Sequence, residues 1–186
     1  MKNFLLLLLA SFVVGCGSSR PNLDTPKWYN SALSTDELLV AVGEADSRKA
    51  SLAVTAAGER ARVELAREVG VQVENLFKDF QEQTGDVSDP VMLEQITDVS
   101  RTVTDRVLHG SRITQKKTQS YEKPDGSDAD EERDVYYHAY VMVELSRDRV
   151  NEAALSALRS EEELYTRFRA AQSFEELERA VGGSGQ

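Results

Sequence analysis

The chain has few of the side chains on which catalytic and metal sites depend. Its 186 residues include one cysteine and two histidines, His109 and His138. One cysteine excludes a disulfide framework within the chain, and two separated histidines fall short of the three or four convergent ligands that zinc needs. The sequence also lacks a Gly-x-Ser-x-Gly elbow and a glycine-rich phosphate loop. We therefore expect no catalytic residue, no metal site and no cofactor, and predict that the protein is not an enzyme.

The chain also has fewer basic than acidic residues. The chain has 22 basic and 32 acidic residues and a net charge of −10. Such a chain is not attracted to phosphate backbones, so we expect no nucleic-acid partner. It also lacks a polybasic membrane patch, and a covalent lipid would therefore have to supply any membrane binding.

No apolar run is long enough to cross a bilayer, which takes about 20 residues of helix. The run at residues 5–15 follows Lys2 and ends at Cys16. A cation, a short apolar core and small residues before a cut site are typical of a secretory signal peptide. Val13-Val14-Gly15-Cys16 resembles the lipobox of bacterial lipoproteins. In a lipobox the cysteine receives diacylglycerol, the chain is cut before it, and the new amino group is acylated. The alternative is an ordinary free thiol.

Gly17, rather than aspartate, follows the cysteine. By resemblance to lipoprotein sorting in Gram-negative cells, this residue favours the outer membrane over retention in the inner membrane. Three acyl chains on Cys16 would hold the protein stably, because two or more chains are enough for lasting attachment. We therefore predict a lipid-anchored protein of the outer membrane.

Composition divides the chain into four parts. They are a signal peptide (1–15), a tether (16–27), a single α+β domain (28–171), and a short terminal helix with a flexible tail (172–186). Trp28 and Tyr29 end the tether abruptly. Large amphipathic rings in this position are expected to dock on the domain as its first anchor. A sugar-binding or partner-binding aromatic pair is the alternative.

Hydrophobic periodicity predicts the element order β-α-α-β-β-α. Residues 38–43 read as a buried strand, with Asp46 or Ser47 capping the long helix that follows. The alanine-rich first half of that helix is expected to lie against the strands. Proline at position 90 starts a second helix, and two alternating segments form a hairpin. A third helix follows Ser146, and a capping box at Ser173 starts the last one. This order predicts an α+β fold with long helices on one face of a small antiparallel sheet.

The second hairpin strand has an aromatic side that faces away from the predicted core. With one residue across the hairpin, it forms a strip of four: Tyr121, Tyr136, Tyr140 and Met142. If helices cover only one face of the sheet, this strip is exposed and is a candidate interaction surface. Alternatively, the third helix folds back and covers it with Tyr165 and Phe168. His138 shares this face and is predicted to be a surface or interface histidine.

The hairpin loop is strongly acidic. It contains Asp125, Asp128, Asp130, Glu131, Glu132 and Asp134. The helix-loop-helix calcium motif requires glycine at its sixth position and glutamate at its twelfth. Here Gly126 comes second, so the register fails and a solvated loop that discourages edge pairing is favoured. Weak calcium binding by charge density alone stays open.

Several of these pieces together resemble the LPP-twenty (LPP20) lipoprotein family. They are the lipobox, Pro26-Lys27-Trp28-Tyr29, a strand ending in Val42-Gly43-Glu44-Ala45, the alanine-rich helix through Leu65-Ala66, an entry to a strand at Gly110, and the aromatic strand. The resemblance covers residues 26–146. It implies a three-stranded sheet wrapped around a helix, similar to dodecin, and a relation to the N-terminal domain of the flagellar assembly protein T. It implies no catalytic residues.

A non-enzymatic, membrane-anchored bacterial lipoprotein accounts for these features. We expect a structural or protein-interaction role at the cell envelope. The acyl anchor would bind membrane lipid, and the domain would bind a protein partner or self-associate. The alternative is a periplasmic binding module with an apolar, aromatic pocket between helix and sheet.

Overall fold

Three antiparallel strands form one sheet in which the last strand of the chain lies in the middle. The computed structural model describes residues 23–84, 90–123, 134–169 and 171–183. Within them, β1 (Leu38–Ser47) and β2 (Arg112–Lys123) each pair with β3 (Asp134–Ser146), in the order β1-β3-β2. A bulge interrupts β2 between Ile113 and Gln115. The predicted α+β class and antiparallel three-stranded sheet are confirmed.

The helices follow the predicted order with two differences. They are α1 (Lys27–Asn30), α2 (Ala50–Thr84), α3 (Pro90–Leu108), α4 (Arg147–Ser160), α5 (Glu162–Phe168) and α6 (Gln172–Gly183). The third predicted helix is divided into α4 and α5, because Glu161 has extended backbone angles. The predicted tether contains the additional one-turn helix α1. None of the helices in the described part of the chain is both long and apolar enough to cross a membrane.

The first half of α2 lies directly on the sheet. Ala53, Ala57 and Ala61 are completely buried, and Gly43 of β1 faces them. A Cβ atom placed on Gly43 would come within 2.3 Å of the Ala57 carbonyl oxygen. The alanines and this glycine together allow the helix axis to approach the strand closely, which confirms the predicted position of the alanine-rich half.

The second half of α2 organises a helical core away from the sheet. Phe80 packs against Phe168 of α5 and Phe174 of α6, with ring centroids 5.3 and 6.1 Å apart. The terminal helix is thus part of the domain core. Ser173 is not at the predicted N-cap position, because α6 begins one residue earlier, at Gln172; its backbone N–H and its hydroxyl donate to the side-chain oxygen of Gln83.

The end of β1 also differs from its prediction. The strand continues past Gly43 to Ser47, because residues 44–47 pair with residues 137–140 of β3. Asp46 is therefore a strand residue whose carboxylate bonds across the sheet, and it does not cap α2. The Ser47 hydroxyl does accept a hydrogen bond from the Lys49 N–H, at 3.3 Å.

Candidate functional site: the outer face of the sheet

The outer face is the side of the sheet opposite α2, and it carries three of the four tyrosines of the strands. It consists of Glu44 and Asp46 from β1, Lys117, Gln119 and Tyr121 from β2, and Tyr136, His138, Tyr140 and Met142 from β3. Side chains alternate along a strand, so the residues between these on β1 and β3, such as Ala45 and Ala139, point to α2 and are buried. Thr118 and Ser120 of β2 lie on the same side but stay exposed. The strand register sets Tyr140 between Glu44 and Lys117, and His138 between Asp46 and Gln119.

Residues 23–30, which we call the N-terminal strap, lie across this face. The Tyr29 ring packs edge-on against Tyr140, with centroids 5.0 Å apart. The hydroxyls of Thr25 and Tyr140 are 3.3 Å apart, and Pro26 is buried. The strap therefore covers the middle of the outer face.

Ionic and amide contacts hold the start of the strap at β2. The Lys117 ammonium lies 2.6 Å from the Asp24 carboxylate, and the Gln119 amide donates to the Asp24 carbonyl oxygen at 2.8 Å. The hydrogen bond from Lys117, followed by its positive charge, lowers the pKa of Asp24 below its ordinary value of 3.8. The Asp24 carboxylate is largely exposed, so solvent screens this ion pair.

A buried imidazole lies at the centre of the outer face. His138 is 8% exposed, and its Nδ1–H donates to Asp46 Oδ1 at 2.9 Å. Its ring edge packs against Tyr140 at 4.5 Å between centroids. The other ring nitrogen, Nε2, is buried and has no hydrogen-bond partner among the described residues, with the Glu44 carboxylate 3.5 Å away.

A second aromatic pair lies on the same face near the hairpin loop. The rings of Tyr121 and Tyr136 stack with centroids 5.9 Å apart, and the guanidinium of Arg48 lies 5.6 Å from the Tyr136 ring centre. The Tyr121 hydroxyl donates to Asp46 at 3.0 Å. Burial, followed by this hydrogen bond, raises the pKa of Tyr121 to about 12. Both tyrosines remain partly exposed.

The prediction that the aromatic strip is exposed is therefore wrong for two of its four residues. Tyr140 and Met142 are only 4% and 6% exposed, while Tyr121 and Tyr136 are partly accessible. The proposed cover is also wrong. Phe168 of the third predicted helix packs in the helical core instead of on the outer face. The cover of Tyr140 is the strap, through Tyr29 and Thr25.

The strap also changes the predicted boundary between tether and domain. Within residues 23–30, Asp24 already contacts the sheet, although it lies inside the predicted tether and precedes Trp28. Tyr29 rather than Trp28 makes the ring contact with β3, and Trp28 packs edge-on against Tyr29 at 6.1 Å while half buried. The sequence Pro26-Lys27-Trp28-Tyr29 indicates a segment that docks on the domain, but it does not identify the face on which the rings dock.

The two histidines have different environments. His138 was predicted to be a surface or interface histidine, and the surface position is wrong: the residue is buried, with Tyr140, Glu44 and Asp46 around it. His109 is exposed in the turn after α3, where Nδ1 lies 2.8 Å from the Asp105 carbonyl oxygen. Across the described ranges, no group of three or more histidine, cysteine, aspartate or glutamate residues is placed to hold a metal ion.

The predicted signal peptide (1–15) and residues 184–186 of the predicted tail lie outside the described residues, and so do two predicted site features. One is Cys16, the proposed lipid attachment site. The other is most of the acidic loop, with Asp125, Asp128 and their neighbours up to Glu132. Asp134 at the start of β3 is described, and it pairs with the guanidinium of Arg48.

The alternative prediction of a ligand pocket between helix and sheet is not favoured. Three alanines of α2 are completely buried there, and even one added carbon at Gly43 would clash with the backbone of α2. The space between α2 and β1 is therefore filled by the protein itself.

Comparison with known proteins adds one finding. The family model described as LPP20 lipoprotein matches residues 26–129. The match begins inside the strap and includes β1, α2, α3 and β2. Neither the curated proteins nor the solved structures gave a match.

Proposed function

Because the chain belongs to the LPP20 lipoprotein family, we propose that it is a non-enzymatic lipoprotein anchored to the outer membrane through Cys16. In this proposal the α+β domain has a structural or protein-interaction role at the cell envelope. The family match is the observation that carries the proposal. The lipobox at residues 13–16 supports it independently, because it lies outside the matched range.

The arrangement of the outer face supports a role in binding rather than catalysis. The His138 imidazole is buried against Tyr140, so little of it is presented to a substrate, although the Asp46 carboxylate that it contacts is 50% exposed. Tyr121 and Tyr136 stay partly accessible beside it. Tyrosines are enriched at protein interfaces because they combine a large apolar ring with a polar group.

Metabolic labelling with radioactive palmitate tests the anchor. The wild type should incorporate label, and Cys16→Ala should not, because the chain has no other thiol. Ser18→Ala is the matched control and should label like the wild type. Equal labelling of Cys16→Ala would refute acylation at this residue. Gly17→Asp tests the sorting proposal, since it should move the protein from outer-membrane to inner-membrane fractions.

Site-specific photo-crosslinking in intact cells tests the interaction role. A photoreactive residue in place of Tyr136 should yield a discrete adduct with a partner or a second copy. The same residue in place of Val71, which is 57% exposed on α2, serves as the control. Equal or absent adducts at the two positions would contradict a partner at the outer face.

A further inference from the structure

We propose that the N-terminal strap is a releasable latch that docks on the outer face and leaves it as a unit while the rest of the domain stays folded. Its docking would control both access to the outer face and the reach of the domain from its anchor. The second part rests on the proposed attachment at Cys16. The first part depends only on the described residues.

The contacts that hold the strap are few and mostly made by side chains. Among the described residues, no backbone-to-backbone hydrogen bond joins the strap to the sheet. The one within it runs from the Tyr29 N–H to the Pro26 carbonyl oxygen at 3.0 Å. A four-residue helix is too short to be stable alone. Few apolar contacts and exposed polar ones are typical of segments that open locally below the energy of global unfolding.

The chain after the strap can act as a hinge, because it is attached to the domain again at Ser34. Residues 32–35 have no regular structure, and Leu33 is 78% exposed. At Ser34 the chain is held again, because its hydroxyl accepts from the Val40 N–H at 2.9 Å and donates to Glu68 at 2.6 Å. Release can therefore stop at residue 33 and leave β1 in place.

The polar contacts under the strap can be replaced by water when it leaves. The Thr25 and Tyr140 hydroxyls are 3.3 Å apart, and the Asp24 side chain is 85% exposed. Because water-mediated hydrogen bonds are nearly as favourable as direct ones, these contacts oppose release only weakly. The ring contact of Tyr29 with Tyr140 is then the main interaction that keeps the strap docked.

Release would change the reach of the domain about twofold. An extended chain spans at most about 3.5 Å per residue. From Cys16 to Asp24 this gives about 28 Å, and from Cys16 to Ser34 about 63 Å by the same estimate. The docked strap holds the outer face close to the membrane, and the released strap frees the domain to meet partners farther away.

The only tryptophan of the chain, Trp28, lies within the strap and reports its state. We would measure acrylamide quenching of Trp28 and hydrogen exchange of strap and β3 amides in the full-length lipidated protein in detergent, at increasing urea. The expected result is a first transition that exposes Trp28 and the strap amides while the β3 amides remain protected. A single transition shared by Trp28, strap and β3 would overturn the proposal.

Two variants sharpen the test. Lys117→Met removes the partner of Asp24 and should increase Trp28 quenching without shifting the β3 transition. Lys78→Met is its control, because it removes the same charge from an exposed pair on α2 and should leave Trp28 unchanged. Tyr29→Leu should lower the docked-to-released ratio about 2- to 12-fold, the factor that corresponds to one edge-to-face aromatic pair. Unchanged strap exchange in both Lys117→Met and Tyr29→Leu would also overturn the proposal.

Failure of the anchor and failure of the latch give different results. Missing palmitate label would refute attachment at Cys16 but would leave the Trp28 transition measurable. A single unfolding transition would refute the latch even in a protein that carries the label.

Discussion

Gly43 sets the distance between α2 and the sheet, and we predict that even alanine is harmful there. A Cβ atom at this position would lie 2.3 Å from the Ala57 carbonyl oxygen and 2.6 Å from the Ala61 nitrogen. Both are backbone atoms of a helix, so the helix itself would have to move. Overpacking of this kind costs about 1–3 kcal/mol. At about 2–4 °C per kcal/mol for a domain of this size, the melting temperature should fall by about 2–12 °C.

Thermal and urea unfolding followed by circular dichroism would measure this effect. The sign is informative, because alanine in place of a strand glycine otherwise stabilises a protein through lower chain entropy. Gly70→Ala is the matched control. Gly70 lies inside α2 with nothing within 4 Å of an added Cβ, so this change should raise stability by about 0.5–1 kcal/mol. If Gly43→Ala were as stable as the wild type, the close approach of helix and strand would be refuted.

Two further predictions concern ionisation on the outer face. The raised pKa of Tyr121, about 12, means that its neutral phenol stabilises the fold below about pH 10 and that this contribution is lost as pH rises toward 12. Tyr121→Phe should therefore remove a late step from the ultraviolet titration of the tyrosines, and loss of an ordinary step near pH 10 would contradict it. The lowered pKa of Asp24 means that its ion pair is complete above pH 3.8 and is lost as pH falls through the lowered value. Trp28 quenching should rise in that acid range, and Asp24→Asn should abolish the dependence; an identical acid response in both proteins would argue against this latch contact.

The elements that the sequence predicts correctly are those with a strong local repeat. Alanines three and four residues apart identified the half of α2 that lies on the sheet, because only small side chains permit that contact. Alternation along residues 135–145 identified β3 and divided its side chains correctly between two faces. These patterns repeat within a few residues, so they can be read without knowing the rest of the fold.

The covering of the outer face could not be predicted in the same way. The alternation of Tyr136, His138 and Tyr140 is the same whether that face meets water or another segment. The contacts that decide the matter join residues far apart in sequence, such as Thr25 with Tyr140. The helix-capping role predicted for Asp46 is wrong for a related reason. A short acidic residue after an apolar run is a good helix cap, and only the pairing with β3 shows that the strand continues through it.

Because β3 is the central strand, the sheet cannot form during synthesis until this last strand has been made. The residues of β1 are paired with partners 90–108 positions later in the sequence, and β2 also has to wait for β3. At a synthesis rate of about 5–20 residues per second, the apolar residues of β1 exist for about 5–20 seconds before their partner strand is made. Throughout that interval β1 cannot pair with its final neighbour, β2 joins it only near the end, and the sheet closes when the middle strand arrives between them.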